Sequence, residues 1–517
     1  MKTKYIIAAA LAMLVMPATA QETYENAKLA NSDLNGTARY VGMGGAMDAL
    51  GADLSTISSN PAGIGLFRRP TANISFGLVS QQDGKDFANG NKTNASFDQV
   101  GFVYAMKSGR NSFLNFGFNY HKSKNFDYIL SAAHDLKDAS QNKLTYIKGD
   151  AGYLFDQDGQ DYITSTRLDE LLANKLMNLG DDQSADYRYE NSTGYMFDRA
   201  HTGYIGRYDF NVSGNLNDRV YLGLTMGMSD VHYKGYSEYI ETLEPNNGFN
   251  RTEVNVADDR RITGTGFDIT AGVIVRPIEE SPFRIGLSVK TPTWYDLSTS
   301  NQVSLGSDYV RSDYDFKVYT PWKFGLSLGH TIGNVLALGA VYEYEDFGSI
   351  DSRINTGASY DYWYDDYYNT SESDNDMNDH AEETLKGVST LKLGLEYKPI
   401  PALALRAGYN YQSAIYSENG VKGVLANGNL VQSPGIYYSS TTDYTNWKDT
   451  NRFTLGIGYA VKNFNVDLAY QYSTTDGEFY PFMSYTDDQA PDMNNIADAV
   501  SVSNKRHQVL LTLGYRF

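Results

Sequence analysis

The sequence predicts an all-β chain, a transmembrane antiparallel β-barrel of about 14 strands. Three observations carry that expectation. The chain ends on a strand with one apolar face: Phe517, Tyr515, Leu513, Leu511 and Val509 alternate with Arg516, Gly514, Thr512 and Gln508, and Leu510 is the exception. The same period-two alternation recurs along the chain. The connections between these segments alternate between short and long, as in an even-stranded barrel with tight turns at one end and long loops at the other.

Composition narrows the alternatives. The 517 residues include no Cys, 13 Pro, 47 Gly and 42 Tyr. Without Cys there are no disulfides, thiol nucleophiles, cysteine metal sites or N-terminal lipid anchor. Tyr at this abundance suits the rims of a barrel, where a ring with one wet end sits at the membrane interface. The formal charge of −19 argues against nucleic acid as a partner.

Residues 1–20 read as a signal peptide: Lys2 and Lys4, an apolar run from Tyr5 to Met16, then Pro17-Ala18-Thr19-Ala20 before Gln21. No later apolar stretch approaches the 18 residues of a membrane helix, so an exported chain of this kind crosses a membrane only as a barrel. Residues 21–70 are a different material, small, glycine-rich and non-alternating. Gly42, Gly44 and Gly45 lack the spacing and the preceding strand of a dinucleotide loop. They fit a compact segment packed closely against other backbone.

From Thr71 the pattern is strands, expected at 71–80, 98–107, 111–125, 202–216, 218–234, 262–276, 282–298, 312–329, 334–347, 386–398, 402–413, 450–460, 463–474 and 504–517. Short turns fall near Ser108-Gly109-Arg110, Asn217, Pro277 to Ser281, Gly329 to Gly333, Lys398 to Pro401 and Val461-Lys462. Long loops cover 81–97, 126–201, 235–261, 299–311, 348–385, 414–449 and 475–503. Parity assigns the faces. In 386–398, Leu391, Leu393, Leu395 and Tyr397 point to lipid, with Lys392, Gly394, Glu396 and Lys398 inward. In 402–413, Leu403, Leu405, Ala407, Tyr409 and Tyr411 oppose Arg406, Gly408 and Asn410. In 312–329, Phe316, Val318, Trp322, Phe324, Leu326 and Leu328 share one face, and Asp315, Lys317, Lys323 and Ser327 the other. A charge facing lipid at mid-depth costs ~2–4 kcal/mol, so the charged faces are expected to line the lumen.

Within the long loops, Leu168, Leu171, Leu172, Leu176 and Leu179 stand near helical spacing, either on the barrel mouth or burying their own face. The run Tyr362 to Tyr368 followed by Asp374, Asp376 and Asp379 reads as a solvated acidic loop without the spacing of an EF-hand. The seven His are scattered, and no zinc-protease, serine-elbow or phosphate-loop motif occurs. No catalytic residue, metal site or cofactor is assigned, and the chain is read as a non-enzyme.

Asn60-Pro61-Ala62-Gly63, with Ala38-Arg39-Tyr40-Val41-Gly42-Met43-Gly44-Gly45-Ala46 before it, resembles the FadL-type outer-membrane transporters of hydrophobic compounds, in their Bacteroidota branch. The resemblance is most specific over roughly residues 36–70. It implies an N-terminal hatch, residues 21–70, plugging a barrel over 71–517 in the outer membrane of a Gram-negative bacterium. It also implies capture of a hydrophobic ligand such as a long-chain fatty acid by the outer loops, a pocket near the hatch, and release into the bilayer through a gap at a kinked early strand, by order 111–125. Partners on this reading are outer-membrane lipid and the ligand, and the barrel is expected to be monomeric. Arg276, Arg284, Lys392 and Arg406 are candidate lumen cations for a carboxylate head, with charge pairing as their ordinary role. Two further readings remain at this point: a non-transporting structural barrel in a secretion or assembly complex, and a haemin-binding receptor. The loops here are longer, more acidic and richer in Tyr than those of fatty-acid transporters.

Overall fold

A computed structural model describes residues 22–148, 166–180, 186–361, 366–422, 425–426, 429–430, 442–486 and 490–517. The leader expected at 1–20 and the tip of the Tyr-rich loop, 362–365, lie outside the described residues. Residues 22–70 form a plug of two short helices, Thr23–Ala30 and Ala38–Gly42, and two 3₁₀ turns, Leu54–Ile57 and Pro61–Leu66. Its turns are held by side chains: Thr37 Oγ1 donates to Asp53 at 2.8 Å, and Arg39 donates to the Ala52 carbonyl at 3.0 Å.

The strands then close a 14-strand antiparallel barrel around the plug. β1 (Thr71–Gln81), β2 (Thr93–Lys107) and β3 (Phe113–Asn125) come first, and β4 (Tyr128–Ala139) pairs with the upper half of β5 (Ser192–Leu216). β6 (Val220–Leu243) and β7 (Glu253–Val275) complete a tall wall. The next two staves are each broken once: β8 (Arg284–Lys290) continues as β9 (Trp294–Leu305), and β10 (Asp308–Tyr319) as β11 (Lys323–Ile332). β12 (Leu336–Asp346) is followed by the rim hairpin β13 (Asp351–Asp361) and β14 (Asp366–Ser373), then β15 (Gly387–Ile400) and β16 (Leu403–Gln412). After the minimal hairpin β17 (Leu425–Ala426) and β18 (Asn429–Leu430) come β19 (Tyr444–Val461), β20 (Phe464–Tyr480) and β21 (Val500–Arg516). The barrel shuts by pairing β21 with β1, from Thr71 opposite Arg516 to Gln81 opposite Arg506.

Each expected strand lies on one stave, and the faces follow parity where the barrel meets lipid. Leu391, Leu393, Leu395 and Tyr397 are exposed while Lys392 and Glu396 are buried. The outward apolar band runs over Leu222 to Met228 on β6, with Val275 of β7 at its short-turn edge opposite Val220, in keeping with the ~25 Å apolar band of such barrels. Above it the outward positions of β6 turn polar, with Asp230, His232 and Lys234. Leu510, the exception in the last strand, is fully buried against the plug.

Several expectations need correction. The loops expected at 126–201, 235–261 and 348–385 carry β4, the upper parts of β5 to β7 and the β13–β14 hairpin, and the acidic stretch from Asp374 to Asp379 opens the helix Asn375–Thr384, with Asp374 buried as its cap. Residues 299–311 are not a long loop: β9 and β10 form a hairpin turning at Gly306-Ser307, with Gly306 at φ +62°. Phe316 and Val318 do not share the lipid face with Phe324 and Leu326, because both are buried, while Asp315 points outward. The stave breaks at Thr320-Pro321-Trp322, and its neighbour breaks at Thr291-Pro292-Thr293. Proline gives no ladder N–H, and an odd slip in register swaps the faces. Below the breaks Leu287 and Leu326 meet lipid; above them Leu297 and Phe316 turn inward to a buried cluster.

The mouth is closed by a second cluster. The expected loop helix spans Arg167–Leu172, capped by Thr166 and Asp169, and continues through Ala173–Met177. Leu168, Leu171, Leu172 and Leu176 pack against Phe197, Val256, Val303 and Phe479 from the walls, so the helix lies on the barrel mouth; Leu179 is exposed.

What seats the plug is a row of glycines on the wall. Gly329, Gly339, Gly394 and Gly408 stand directly opposite one another across four neighbouring staves. A Cβ on Gly339 would overlap the Ala46 carbonyl, one on Gly394 the Met43 carbonyl, and one on Gly408 the Gly44 backbone. On the other side Gly223 meets Pro61, while Gly272 and Gly286 meet the Asn60 side chain. Absent side chains let backbone approach backbone. Replacing Gly394 with Leu should therefore destabilise the seated plug by roughly 1–3 kcal/mol through overpacking. The expected outcome is faster hydrogen exchange over residues 38–51. Gly214→Ala, where nothing lies within 4 Å of the added Cβ, should exchange like the parent.

Candidate functional site

A cavity of about 250 Å³ lies between the Thr23–Ala30 helix and the barrel wall. The helix presents Tyr24, Glu25 and Lys28 to it, and the irregular segment after it presents Asn31, Asp33, Leu34 and Asn35. Aromatic walls come from several staves. Tyr24 stacks on Tyr416 at 4.9 Å, Phe126 meets Tyr233 edge-on at 5.1 Å, and Tyr128 meets Trp447 at 5.6 Å.

Most charges around the cavity are neutralised in place. Arg260 bonds Glu25 at 2.8 Å, Lys422 bonds Glu22 at 3.2 Å, Lys124 bonds Asp33 at 3.2 Å, and Arg199 bonds Asp443. Lys28, like Lys122 and Arg452, forms no ion pair among the described residues; its ammonium sits 5.2 Å from the centre of the Tyr233 ring, whereas Arg452 bonds the Asn410 and Gln412 side chains. The Tyr233 hydroxyl is 3.2 Å from His201 Nδ1, and His201 Nε2 is buried without a partner. Burial, with Arg199 nearby, lowers the Lys28 ammonium to about 7. The cavity thus combines ring faces for an apolar body with cations that have no ion pair among the described residues, Lys28, Lys122 and Arg452, for an anionic end.

At its lower end the cavity reaches Val79, Asp98 and Lys122, where β2 and β3 part. Their ladder stops at Gln99 opposite His121, although both strands continue. β2 is bulged beside Asp98, and β3 is bulged against β5 between Lys122 and Lys124. Plug residue Asn35 spans the separation, donating to Asp98 at 2.9 Å and to the Lys122 carbonyl at 3.0 Å. Lys122 reaches back to Ser96 at 2.7 Å. One Asp98 oxygen is buried with no partner.

The candidate lumen cations are elsewhere. Arg276 ties the short turn after β7, donating to the Ser281 carbonyl at 3.2 Å. Arg284 donates to the plug carbonyl of Leu50 at 3.0 Å. Arg406 bonds Glu396 and Asp467, both at 2.7 Å, and Glu396 also holds plug residue Arg39 at 2.9 Å. Lys392 is paired with Glu343 and lines a second, polar cavity below Asn31 to Asn35. Charge pairing is what Lys392 and Arg406 do. Asn60 caps the Pro61–Leu66 turn, accepting from Ala62 N at 3.2 Å; Ala62 and Gly63 are buried with it, so the motif fastens the plug to the wall rather than lining the cavity.

Lys28, Arg199, Tyr233 and Trp447 escaped sequence reasoning, and His201 stands in it only as one of the scattered rim or lumen His. They come from the plug before residue 36 and from strand ends above the apolar band. The only available signal was Lys28 itself, a lone cation in the segment 21–35 with Glu22 and Glu25 as its acidic neighbours. Since Lys28 is charged below about 7 and neutral above it, an amphiphile with a carboxylate should bind more tightly at pH 6 than at pH 8. Trp447 emission gives the readout. The matching alcohol should show no such difference, and Lys28→Met should abolish it.

No family model and no curated protein matches the chain. Among solved structures, a Pseudomonas aeruginosa FadL homologue aligns over 97% of this chain and 99% of its own, at 12% identity and a TM-score of 0.51. The Ralstonia pickettii toluene transporter TbuX aligns over 94% and 99%, at 13% identity and 0.48. The P. putida toluene transporter TodX aligns over 94% and 99%, at 12% identity and 0.44. The first of these, together with the closed 14-strand barrel, identifies the fold: this chain has the architecture of the FadL-type outer-membrane barrels.

Proposed function

We propose that the protein takes up hydrophobic small molecules across the outer membrane of a Gram-negative bacterium, with fatty-acid-like amphiphiles as the substrate class. The carrying observation is one continuous cavity that runs from Lys28 and its ring-lined walls to the parting of β2 and β3. Each CH₂ gains about 0.8 kcal/mol out of water, so an apolar chain favours a route that keeps it dry. On this reading the long-loop end faces outside, residues 21–70 act as the hatch, and the ligand leaves sideways where the rings of Phe97 and Tyr120, stacked at 5.7 Å, separate.

Asn35 is the latch in this scheme. It replaces the missing ladder between the parted strands with side-chain hydrogen bonds, which exchange more readily than backbone ones. Membrane residence is supported by the outward apolar band, and the uptake reading by the fold shared with the FadL homologue.

A photoactivatable fatty acid should label Phe97 and Tyr120, beside the parting, well above Phe453 and Leu455, which sit on a continuous ladder. Equal labelling at all four would remove lateral release. Asn35→Ala should raise uptake of the labelled acid by cells carrying the barrel, by about two- to tenfold for the loss of a hydrogen bond.

A further inference from the structure

The short-turn rim carries its charge unevenly. On β5 to β8 and at β15 most exposed cations have acidic partners, Arg68 with Asp218, Arg219 with Glu279 at 3.4 Å and Lys398 with Glu396 at 3.5 Å, and Arg276 is held by the Ser281 carbonyl. Around the closure the pattern is different. Arg69, Lys107, Arg110, Lys462 and Arg516 are all exposed, and none has an acidic partner among the described residues. No Asp or Glu occurs in 67–71, 103–113, 459–464 or 513–517.

These cations are neighbours. The Arg516 amide donates to the Asn463 carbonyl at 2.9 Å, beside Lys462, and the Phe517 amide to the Pro70 carbonyl at 3.0 Å, beside Arg69. Thr71 pairs with both Arg516 and Val103, which leads down β2 to Lys107 and the turn with Arg110. Directly above them, on the lipid side, Tyr515 packs against Phe464 at 4.7 Å and Phe517 at 4.9 Å. Phe464 and Phe517 are 63% and 67% exposed. The chain as a whole is strongly acidic, so this basic arc is a local departure from it.

We propose that this arc binds the headgroups of anionic phospholipids in the leaflet that meets the short-turn end. Like charges held side by side repel unless a counter-charge sits among them. Lys107 and Arg516 share the inward parity of Val103 and Thr512, and Arg110 and Lys462 stand at the turns, so these exposed cations meet headgroup phosphates by reaching round the short-turn rim at the edge of the apolar band. Rings at the interface fix the depth of the barrel, and the cations select lipids with net negative charge. The inference is independent of the uptake reading and requires only that the apolar band lies in a bilayer.

The test uses the full chain in a neutral detergent, given equal amounts of phosphatidylglycerol and phosphatidylethanolamine with matched acyl chains, and read by native mass spectrometry. Phosphatidylglycerol should be retained preferentially. Combined Lys107→Gln, Arg110→Gln, Lys462→Gln and Arg516→Gln should erase the preference, by roughly fivefold per cation at low salt. Lys234→Gln with Arg261→Gln, at the long-loop end, should leave it intact. Equal retention of the two lipids, an unchanged preference in the fourfold variant, or displacement of the lipid by millimolar inorganic phosphate would each overturn the proposal.

Discussion

The structure depends on backbone lying against backbone. The plug can fill the barrel only because residues 42–51 run over wall positions that have no side chain, the row from Gly329 to Gly408, while Asn60 and Pro61 seat against Gly223, Gly272 and Gly286. Where backbone meets backbone this closely there is no room for side chains, and the charged groups beside those contacts pair with one another. Arg39 of the plug shares Glu396 with Arg406, and Arg406 continues to Asp467. Breaking one partner of such a set leaves a buried charge uncompensated, which costs more than the pair contributes. The lower half of the plug is therefore fixed from two sides, by shape and by charge.

The upper part of the plug is held differently, and that difference creates the cavity. The Thr23–Ala30 helix has no glycine row beneath it. It is anchored at points: Thr23 to His380 at 2.7 Å, Tyr24 to Asn446 at 2.7 Å, and Asn26 to Ser352 at 2.7 Å. Between those anchors and the wall, space is left, bounded by rings and by Lys28. The same loosening shows in the wall, where β2 and β3 separate above Gln99 and His121 and a plug side chain bridges them. The base below is fixed by shape and charge, and the helix above by single hydrogen bonds and by the Glu25–Arg260 and Glu22–Lys422 ion pairs, with the cavity left beside it.

Membrane physics made much of the fold legible. Lipid demands apolar residues at every second position over the height of the band, so Leu391 to Tyr397 or Val509 to Phe517 declare their stave and face without further help. Above the band that demand ends. The outward side of β6 passes from Leu222, Leu224, Met226 and Met228 to Asp230, His232 and Lys234, while Val231 and Tyr233 turn inward, so the alternation that marks a lipid-facing strand inverts. This is why β4, the upper parts of β5 to β7 and the β9–β10 hairpin read as loops, and why the face swap at Pro292 and Pro321 was hidden. The site was less legible for a related reason. Parity tells lumen from lipid but neither height nor partners, so it nominated Lys392 and Arg406, which are paired near the plug's base. Lys28, Arg199, His201 and Trp447 meet only once the barrel has closed.

The central claim is that an apolar molecule with an anionic end occupies the space between Lys28 and the β2–β3 parting. The direct measurement is the structure of the protein with a fatty acid brominated along its chain, located by the anomalous signal of the bromine. The account predicts bromine inside the barrel, between the rings of Phe126, Tyr128 and Trp447 and the inner side of Asp98 and Lys122, with the carboxylate at Lys28. Bromine found only on the outer apolar band, with ordered water filling the cavity, would contradict it.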